Sequence, residues 1–472
     1  MEEHKEKIEP TPSVILQPSF DLIFELLDSK EVLINIPKYN IQQQPAVLNR
    51  NINNGFTLTI KIANTTINWL EPCEIEIYIN KNIYITSNFY ITKMGYICTG
   101  QIQGLHLKNA THIELYNRFA ICTQNTPIID YYINTTRYND ESTRHLYGRL
   151  PITVGNKHLI LYESKVRDLD YFIIDSKDLI DSKEFSDICY SIMIGIGFIS
   201  ANFIQDEAFY FKSKEPDFSE LTDFSYLKLR QSIISGGFYN PIYSNPYGYT
   251  DKDTTIVNEI GSRIDVFNPI LFSSFCDKIY SNQDYAILIL LILEANVSSL
   301  ILKPAGYAVA LEKITNIIVK ENKDLKPILN KQISKEFTKK LNEVLDSFKD
   351  KITEVGNTDS ITILRKNIDN INQPTNRDKL TKPFQIYGIK LEAGDLSAID
   401  NRNKLLHGRN KKKNSNDSND FNEIWHISMR LNKLINKLIL KHIGYSGYIV
   451  NHIKHNERSL GIEIKESLFE KI

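Results

Sequence analysis

The chain has 472 residues, of which 42% are hydrophobic and 24% are charged. This composition is that of an ordinary globular protein and excludes a disordered or fibrous chain, and the length allows two or three domains with sizeable cores. The formal net charge of -1 excludes a polycation, so any contact with nucleic acid has to come from a local basic patch.

The cysteines and the apolar segments indicate the compartment. Five scattered cysteines form no C-x-x-C pair and have no histidine at metal-ligand spacing, which argues against a zinc site or a disulfide framework and for a reducing compartment. Residues 1–9 lack the apolar region of a signal peptide. The most apolar run, 285–293, is too short to span a bilayer. We therefore expect a cytoplasmic protein without a membrane segment and without a cofactor.

Residues 1–185 carry short segments in which apolar and polar residues alternate, as in half-buried β-strands. The clearest segments are 56–62 and 73–79, with turn residues at 53–55 and 81–82. Several short strands with frequent turns predict a β-rich N-terminal domain, either a sandwich or an open barrel.

We expect residues 186–264 to be a connecting region. Its first part is apolar and contains Gly195 and Gly197, but neither a third glycine nor a Lys-Ser/Thr pair follows them. A packed helix or strand is therefore favoured over a phosphate-binding loop. Residues 236–248, rich in Tyr, Pro, Asn and Gly, are typical of an ordered loop or linker.

From residue 265 onward the apolar residues recur at helical spacing, which predicts an all-α bundle over 265–472 and an α+β protein as a whole. The last long helix is expected to begin with Asp420 as a cap, three residues before Glu423. Two of the predicted apolar helix faces are Tyr307, Leu311, Ile314 and Ile318, and then Ile333, Phe337, Leu341, Leu345 and Phe348.

The most distinctive motif lies near the end of one predicted helix, where Arg402 and Asn403 are followed by three residues and then by His407 and Gly408. Together with the polar loop and the long helix after it, this pattern resembles the R-N-x-x-x-H signature of HEPN-domain ribonucleases. The flanking sequence resembles the ApeA-type HEPN proteins of bacterial phage defence. In the alternative, structural interpretation, Arg402 is a solvated helix charge and His407 caps the helix end.

The resemblance implies cleavage of RNA without a metal, with Arg402, Asn403 and His407 as the catalytic residues. A histidine ionises near neutral pH and so serves as base or acid, while the planar arginine fork matches two phosphate oxygens. Asn403 would orient the histidine or donate to the phosphate. The implied products carry a 2′,3′-cyclic phosphate or a 3′-phosphate, and a 5′-OH.

Arg402 and His407 are five positions apart, which on a regular helix corresponds to directions about 140° apart. Either the helix tightens or breaks before Gly408, or each residue meets its counterpart from a second protomer. In HEPN ribonucleases, paired domains place two motifs in one cleft. With one such motif in this chain, the resemblance implies a homodimer.

Basic residues follow the motif directly, and over residues 401–460 there are 12 Lys and Arg against 4 Asp and Glu. A loop of this kind could track an RNA backbone, or it could be a solvated loop. Glu312 could bridge to a basic residue of the motif or lie at the surface. Tyr445 and Tyr448 could stack on bases or belong to the core, which is the commoner case. The candidate RNA-binding residues are Arg409, Lys411, Lys412 and Lys413.

The resemblance thus implies a HEPN ribonuclease domain behind an N-terminal domain that senses or regulates, with a phage protein as a possible trigger and abortive infection as the outcome. The alternative is a catalytically silent HEPN module that binds a nucleotide or a partner protein.

Overall fold

The computed structural model describes residues 15–51, 55–61, 74–93, 95–108, 114–123, 133, 136–139, 146–235, 239–242, 258–259, 262–263, 267–322, 326–356, 359–406 and 418–472. The chain forms two compact units, Met1–Ala286 and Ile287–Ile472. The first unit is rich in strands and the second is mostly helical, so the fold class is α+β, as predicted.

The first unit contains a six-stranded antiparallel barrel. Its strands are β1 (Glu31–Ile36), β2 (Ile41–Asn51), β3 (Gly55–Lys61), β4 (Glu76–Ile79), β5 (Asn82–Lys93) and β6 (Ile97–Leu107). The order is β3-β2-β1-β4-β5-β6, and the pairing of β3 with β6 closes the ring. Alternate residues such as Ile34, Leu58 and Ile102 are fully buried, and helix α1 (Gln17–Asp28) adds Phe20 to the same core. The barrel is therefore closed, not open, and closure pairs the edges that an open barrel would expose.

A long antiparallel sheet continues from the barrel through β6, whose first half pairs with β3 and whose second half pairs with β14. From β6 the strand order is β14-β13-β7-β11-β10-β9-β8. Both β13 and β14 come from the segment 186–264, for which the sequence predicted a connection. The strands of this extension are β7 (Tyr116–Cys122), β8 (Thr136–Asn139), β9 (Leu146–Val154), β10 (Lys157–Val166), β11 (Leu169–Ser176), β13 (Glu207–Ser213) and β14 (Leu221–Lys228), and a separate pair is β12 (Asn202–Phe203) with β15 (Ile233–Ile234).

Helix α2 (Ser182–Ser200) contains the two glycines of the apolar segment, so the prediction of a packed element is confirmed. Asp181 caps its first turn by accepting from the amide of Lys183 at 2.8 Å. A Cβ on Gly195 would lie 3.1 Å from the sulfur of Cys276 in helix α3 (Pro269–Ser281). A Cβ on Gly197 would lie 3.0 Å from the Cβ of Phe203. The glycines therefore allow close packing.

A buried ion pair joins α1 to the sheet. Arg118 donates from Nε and Nη2 to the two carboxylate oxygens of Asp175 at 2.7 and 2.9 Å, and Tyr162 donates to Oδ2 at 2.7 Å. Nη1 of Arg118 donates to the hydroxyl of Ser19 in α1 at 2.9 Å. Because every partner is supplied by the fold itself, the cost of burying these charges is offset locally.

The second unit is organised around α5, which packs against α9, α10 and α11. The apolar face predicted for α5 is confirmed, because Tyr307, Leu311, Ile314 and Ile318 are fully buried. The boundary between the two units falls inside α4. The helices are α4 (Gln283–Val297), α5 (Lys303–Glu321), α6 (Lys331–Ser347), α7 (Lys349–Val355), α8 (Ser360–Asp369), α9 (Asn376–Ile386), α10 (Ala393–Leu406), α11 (Ser418–His442), α12 (His452–His455) and α13 (Glu457–Leu460).

Two details of this unit differ from the prediction. The region is not all-α, since β16 (Tyr448–Val450) pairs antiparallel with β17 (Phe469–Lys471). Helix α11 begins at Ser418, two residues before the predicted cap Asp420. The strands pair residues about twenty positions apart, and such a contact leaves no local pattern in a sequence.

Candidate functional site

Helix α10 carries Arg402 on its buried side. Asp395, Ile399 and Arg402 follow one another at helical spacing and share one face, with 0%, 2% and 5% of their surface exposed. The interpretation of Arg402 as a solvated helix charge is therefore wrong. A buried guanidinium needs a partner, because an uncompensated charge in the interior is costly.

The partner of Arg402 is Glu312 of α5. Nη1 of Arg402 forms an ion pair with Oε1 of Glu312, whose side chain is 42% exposed. Burial lowers the pKa of Arg402 from its ordinary value, yet an arginine remains charged at neutral pH. The sequence favoured a surface position for Glu312 over a bridge to the motif; the side chain is partly exposed, and it also forms the bridge.

The other residues of the motif are only partly placed. The backbone of Asn403 belongs to α10, but its side chain lies outside the described part of the structure. His407, Arg409, Lys411, Lys412 and Lys413 also lie outside the described residues. Since α10 extends to Leu406, His407 directly follows the last described residue of this helix. Its approach to Arg402 and the course of the basic loop stay predictions.

A buried ionic cluster connects α10, α11 and the segment near the end of the chain. Arg430 donates to Asp395 at 2.9 Å and pairs with Glu466 at 2.7 Å. Lys433 pairs with Glu466 at 2.7 Å and with Glu470 at 3.3 Å. Lys437 pairs with the second oxygen of Glu470. Three cations therefore meet three carboxylates, and the cluster is electrically balanced.

This cluster reduces the number of basic residues near the motif that could contact RNA. Arg430, Lys433 and Lys437 contribute three of the 12 basic residues counted over 401–460. All three are at most 6% exposed, and their carboxylate partners lie outside that window. These cations hold the fold together and are not available to RNA. Their positions on one face of α11 were visible in the sequence, but the distant acidic partners were not.

His426 belongs to the same cluster and is neutral near pH 7. Burial and the charge of Arg430 lower the pKa of His426 to about 4. Its Nε2 accepts a hydrogen bond from Nε of Arg430 at 3.0 Å. The lone pair that a catalytic base would need is therefore used within the fold, and His426 serves to position Arg430.

His442 joins the ends of three helices. Its Nδ1 lies 2.9 Å from the hydroxyl of Tyr387, which follows α9, and its Nε2 lies 3.7 Å from Glu321 at the end of α5. Burial raises the pKa of Tyr387, so this phenol stays protonated at neutral pH. The three side chains bind the ends of α5, α9 and α11 to one another.

Tyr445 belongs to the core, as the commoner interpretation predicted. It is 5% exposed, and its hydroxyl donates to the backbone oxygen of Tyr448 at 2.8 Å. A ring that is buried and fixed in this way is not free to stack on a base.

Known proteins provide no assignment for this site. No protein-family model, curated protein or solved structure matches the chain. Within the described ranges there is no group of three or more His, Cys, Asp or Glu residues that could hold a metal ion. None of the described helices combines the length and the apolar character needed to cross a bilayer. The features of the chain that point to a function are therefore the motif and the surroundings of Arg402.

Proposed function

We propose that the chain is a metal-independent endoribonuclease of the HEPN type that acts in bacterial anti-phage defence by abortive infection. The observation that carries the proposal is the position of Arg402. It lies in the last turns of a helix that packs in the bundle of α5, α9, α10 and α11 and extends to the residue before His407. The HEPN resemblance implies such a helix end for the R-N-x-x-x-H motif.

In the proposed reaction, His407 takes the proton of the ribose 2′-OH or gives one to the departing 5′-oxygen. Arg402 stabilises the negative charge that accumulates on the phosphate, and Asn403 orients the histidine or donates to a phosphate oxygen. Chain cleavage then leaves a 2′,3′-cyclic phosphate and a 5′-OH. The basic residues Arg409 and 411–413 would hold the RNA backbone.

Glu312 adds a requirement to this reaction. Its carboxylate forms an ion pair with Nη1 of the Arg402 guanidinium, which has five N–H donors in total. A phosphate that binds Arg402 meets the carboxylate of Glu312, which has the same sign of charge. RNA binding therefore either displaces Glu312 or shares the guanidinium with it.

The second chain of a homodimer would complete the cleft, because two motifs could then face each other. The β-rich first unit would sense the trigger, for which a phage protein is the proposed candidate. Cytoplasmic action follows from the proposed RNA substrate.

A catalytically silent HEPN module that binds a nucleotide or a partner protein is the second candidate. The ion pair between Arg402 and Glu312 favours it, since a buried and neutralised arginine can serve the fold alone. In that case the motif would contribute stability and not chemistry.

Induced expression in bacteria separates the two candidates. Wild type, His407→Ala and Arg402→Ala are compared for growth and for total RNA, with and without phage infection. Arg365→Ala is the matched control, because Arg365 also pairs with a carboxylate, Asp346, but on the exposed surface of α8. The ribonuclease proposal expects growth arrest and RNA fragments with 5′-OH ends for wild type and the control alone. Intact RNA in all strains under both conditions would favour the silent module.

A further inference from the structure

Arg430 of α11 is held on three sides by its own chain. Its Nε donates to Nε2 of His426 at 3.0 Å, its Nη1 donates to Asp395 at 2.9 Å, and its Nη2 pairs with Glu466 at 2.7 Å. A guanidinium is planar and rigid, so it cannot turn without breaking at least one of these contacts. Arg430 therefore gives α10 a fixed point of attachment.

Asp395 attaches the first turn of α10 to this point. The residue is fully buried, and its two carboxylate oxygens have different partners. Oδ1 accepts from Nη1 of Arg430, and Oδ2 accepts from the backbone amide of Glu392 at 3.1 Å. The adjacent Gly394 lets the helix backbone approach closely, because a Cβ there would lie 2.5 Å from Cζ of Arg430. The position and the rotation of α10 are therefore set at its first turn.

Arg402 lies two turns further along the same face of α10. Asp395 and Arg402 are seven positions apart, which on a helix corresponds to roughly 10.5 Å along the axis and about 20° in direction. At Asp395 this face is joined to Arg430 of α11, and at Arg402 it is joined to Glu312 of α5. One face of a single helix is thus held by two ion pairs, and each pair joins it to a different neighbour.

From this arrangement we infer that Asp395 is a positioning residue for the motif: its contact with Arg430 sets the rotation of α10 and so places the guanidinium of Arg402. Asp395 acts through the helix, since Arg402 is two turns away. The same helix extends to the residue before His407, so its rotation also determines how the chain enters the second half of the motif. The role in RNA cleavage rests on the proposed function, whereas the effect on the ion pair of Arg402 does not.

A double-mutant cycle on the full-length chain tests this connection without an activity assay. Asp395→Asn and Glu312→Gln are made separately and together, and urea unfolding gives the equilibrium constant of unfolding for each. The two ion pairs share no residue and lie about 10 Å apart along α10, so independent pairs would give additive effects. If Asp395 places Arg402, its loss already weakens the pair of Arg402 with Glu312. Glu312→Gln should then raise the unfolding constant about 10-fold in wild type, but about threefold or less beside Asp395→Asn.

Gly394→Ala tests the same contact without removing a charge. The new methyl group would lie 2.5 Å from Cζ of Arg430, which is held by three partners, so α10 and Arg430 have to separate. Alanine is a good helix former, so α10 itself should be retained. In this background, too, Glu312→Gln should raise the unfolding constant about threefold or less.

Glu466→Gln is the matched control. Like Asp395, Glu466 is a carboxylate that pairs with Arg430, but it does not belong to α10. The substitution removes the same kind of charge from the same cluster and leaves the contact between Asp395 and Arg430 in place. Glu312→Gln should therefore keep its full effect of about 10-fold in this background.

RNA cleavage gives a second measurement. Asp395→Asn should lower kcat by about 10–100-fold with little change in KM, because a displaced Arg402 stabilises the developing negative charge less well. Folded Glu466→Gln protein should keep the kcat of wild type. A general loss of stability would not separate the two variants in this way.

Additive effects of Asp395→Asn and Glu312→Gln on unfolding would overturn the inference, and the cycle with Gly394→Ala decides if Asp395→Asn does not fold. A reduced effect of Glu312→Gln beside Glu466→Gln would also overturn it, since loosening of the cluster would then suffice. So would an unchanged kcat of Asp395→Asn in a chain that cleaves RNA. Absence of cleavage by wild type under all conditions would reject the proposed function, and the unfolding cycle would still decide on Asp395.

Discussion

Glu312 of α5 reaches across to α10 and neutralises Arg402, the buried arginine of the motif. The carboxylate is half-exposed and the guanidinium is not, so the pair has one side in the protein and one side in solvent. Arg402 would use the same positive charge in either role, as the partner of Glu312 in a structural ion pair or as the residue that binds a phosphate. The pair therefore makes the role of Arg402 testable through Glu312.

Replacing Glu312 by glutamine should lower the free energy of unfolding by about 1–2 kcal/mol, because the buried guanidinium loses its charged partner while water partly compensates at this half-exposed site. RNA cleavage should be retained, since a phosphate no longer competes with a carboxylate for Arg402. Urea unfolding and a cleavage assay measure the two effects. Loss of cleavage in a folded Glu312→Gln protein would instead show that Glu312 takes part in the reaction.

His407→Ala should reduce RNA cleavage by about 10²–10⁴-fold without loss of folding, because it removes the acid–base group. Arg402→Ala should also remove cleavage and should lower stability by about 1–3 kcal/mol, because a buried side chain and its ion pair are lost. Arg402→Lys should stay poor, since an ammonium group cannot form the two-pronged contact with a phosphate. Full activity in folded His407→Ala protein would reject the proposed mechanism.

Neutralising Lys411, Lys412 and Lys413 together should weaken RNA binding without abolishing the cleavage step. For three phosphate contacts to single-stranded RNA, the slope of log K against log salt should fall by roughly two. Binding titrations at several salt concentrations give this slope. A slope equal to that of wild type would assign the loop to solvent.

A mixture of Arg402→Ala and His407→Ala chains should recover part of the cleavage activity after subunit exchange, if each cleft takes its arginine from one chain and its histidine from the other. One of the two clefts in such a heterodimer is intact and the other lacks both groups. The assay compares the mixture with each variant alone. A fully active monomer would contradict a shared site.

The buried ionic cluster should make stability depend on acidic pH. Burial of Glu466 favours its neutral form, but the hydrogen bonds and charges of Lys433 and Arg430 outweigh this and lower its pKa to about 2. The pKa of a glutamate in an unfolded chain is about 4.3. Since the folded pKa is the lower one, this stabilisation is present above about pH 5 and is lost as the pH falls toward 2.

Glu466→Gln should therefore be less stable than wild type by about 2–3 kcal/mol at pH 7, and the difference should vanish as the pH approaches 2. Urea unfolding at a series of pH values measures this. The exposed Glu354→Gln is the control and should follow wild type throughout. A difference between Glu466→Gln and wild type that does not change with pH would show that the charge of Glu466 is not its source.

The α6 helix shows that the sequence predicts an apolar helix face but not whether that face is buried. The spacing of its apolar residues predicted a helix with an apolar face, and the helix is there. The same kind of pattern in α5 marks a fully buried face, whereas in α6 most of the face is exposed. Periodicity reports that a face is apolar, and only the arrangement of the other elements decides what covers it.

In the first unit and in the ionic cluster, too, local patterns are visible in the sequence but contacts between distant segments are not. Alternation along 56–62 predicted β3, because the side-chain period of a strand is local. Closure of the barrel depends on the pairing of β3 with β6, some forty residues apart. Glu466, which pairs with both Arg430 and Lys433, is more than thirty residues away from them in the chain.

By itself, the sequence determined the class of the two halves, the apolar faces of the helices and the motif that singles out Arg402, Asn403 and His407. These properties depend on residues within a few positions of one another. Only the tertiary structure decided that Arg402 is buried, that Glu312 neutralises it and that Arg430, Lys433 and Lys437 are held by carboxylates distant in the sequence. The free energy of a charge depends on its solvent exposure and on the sign of its neighbours, and both are set by segments that are far apart in the chain.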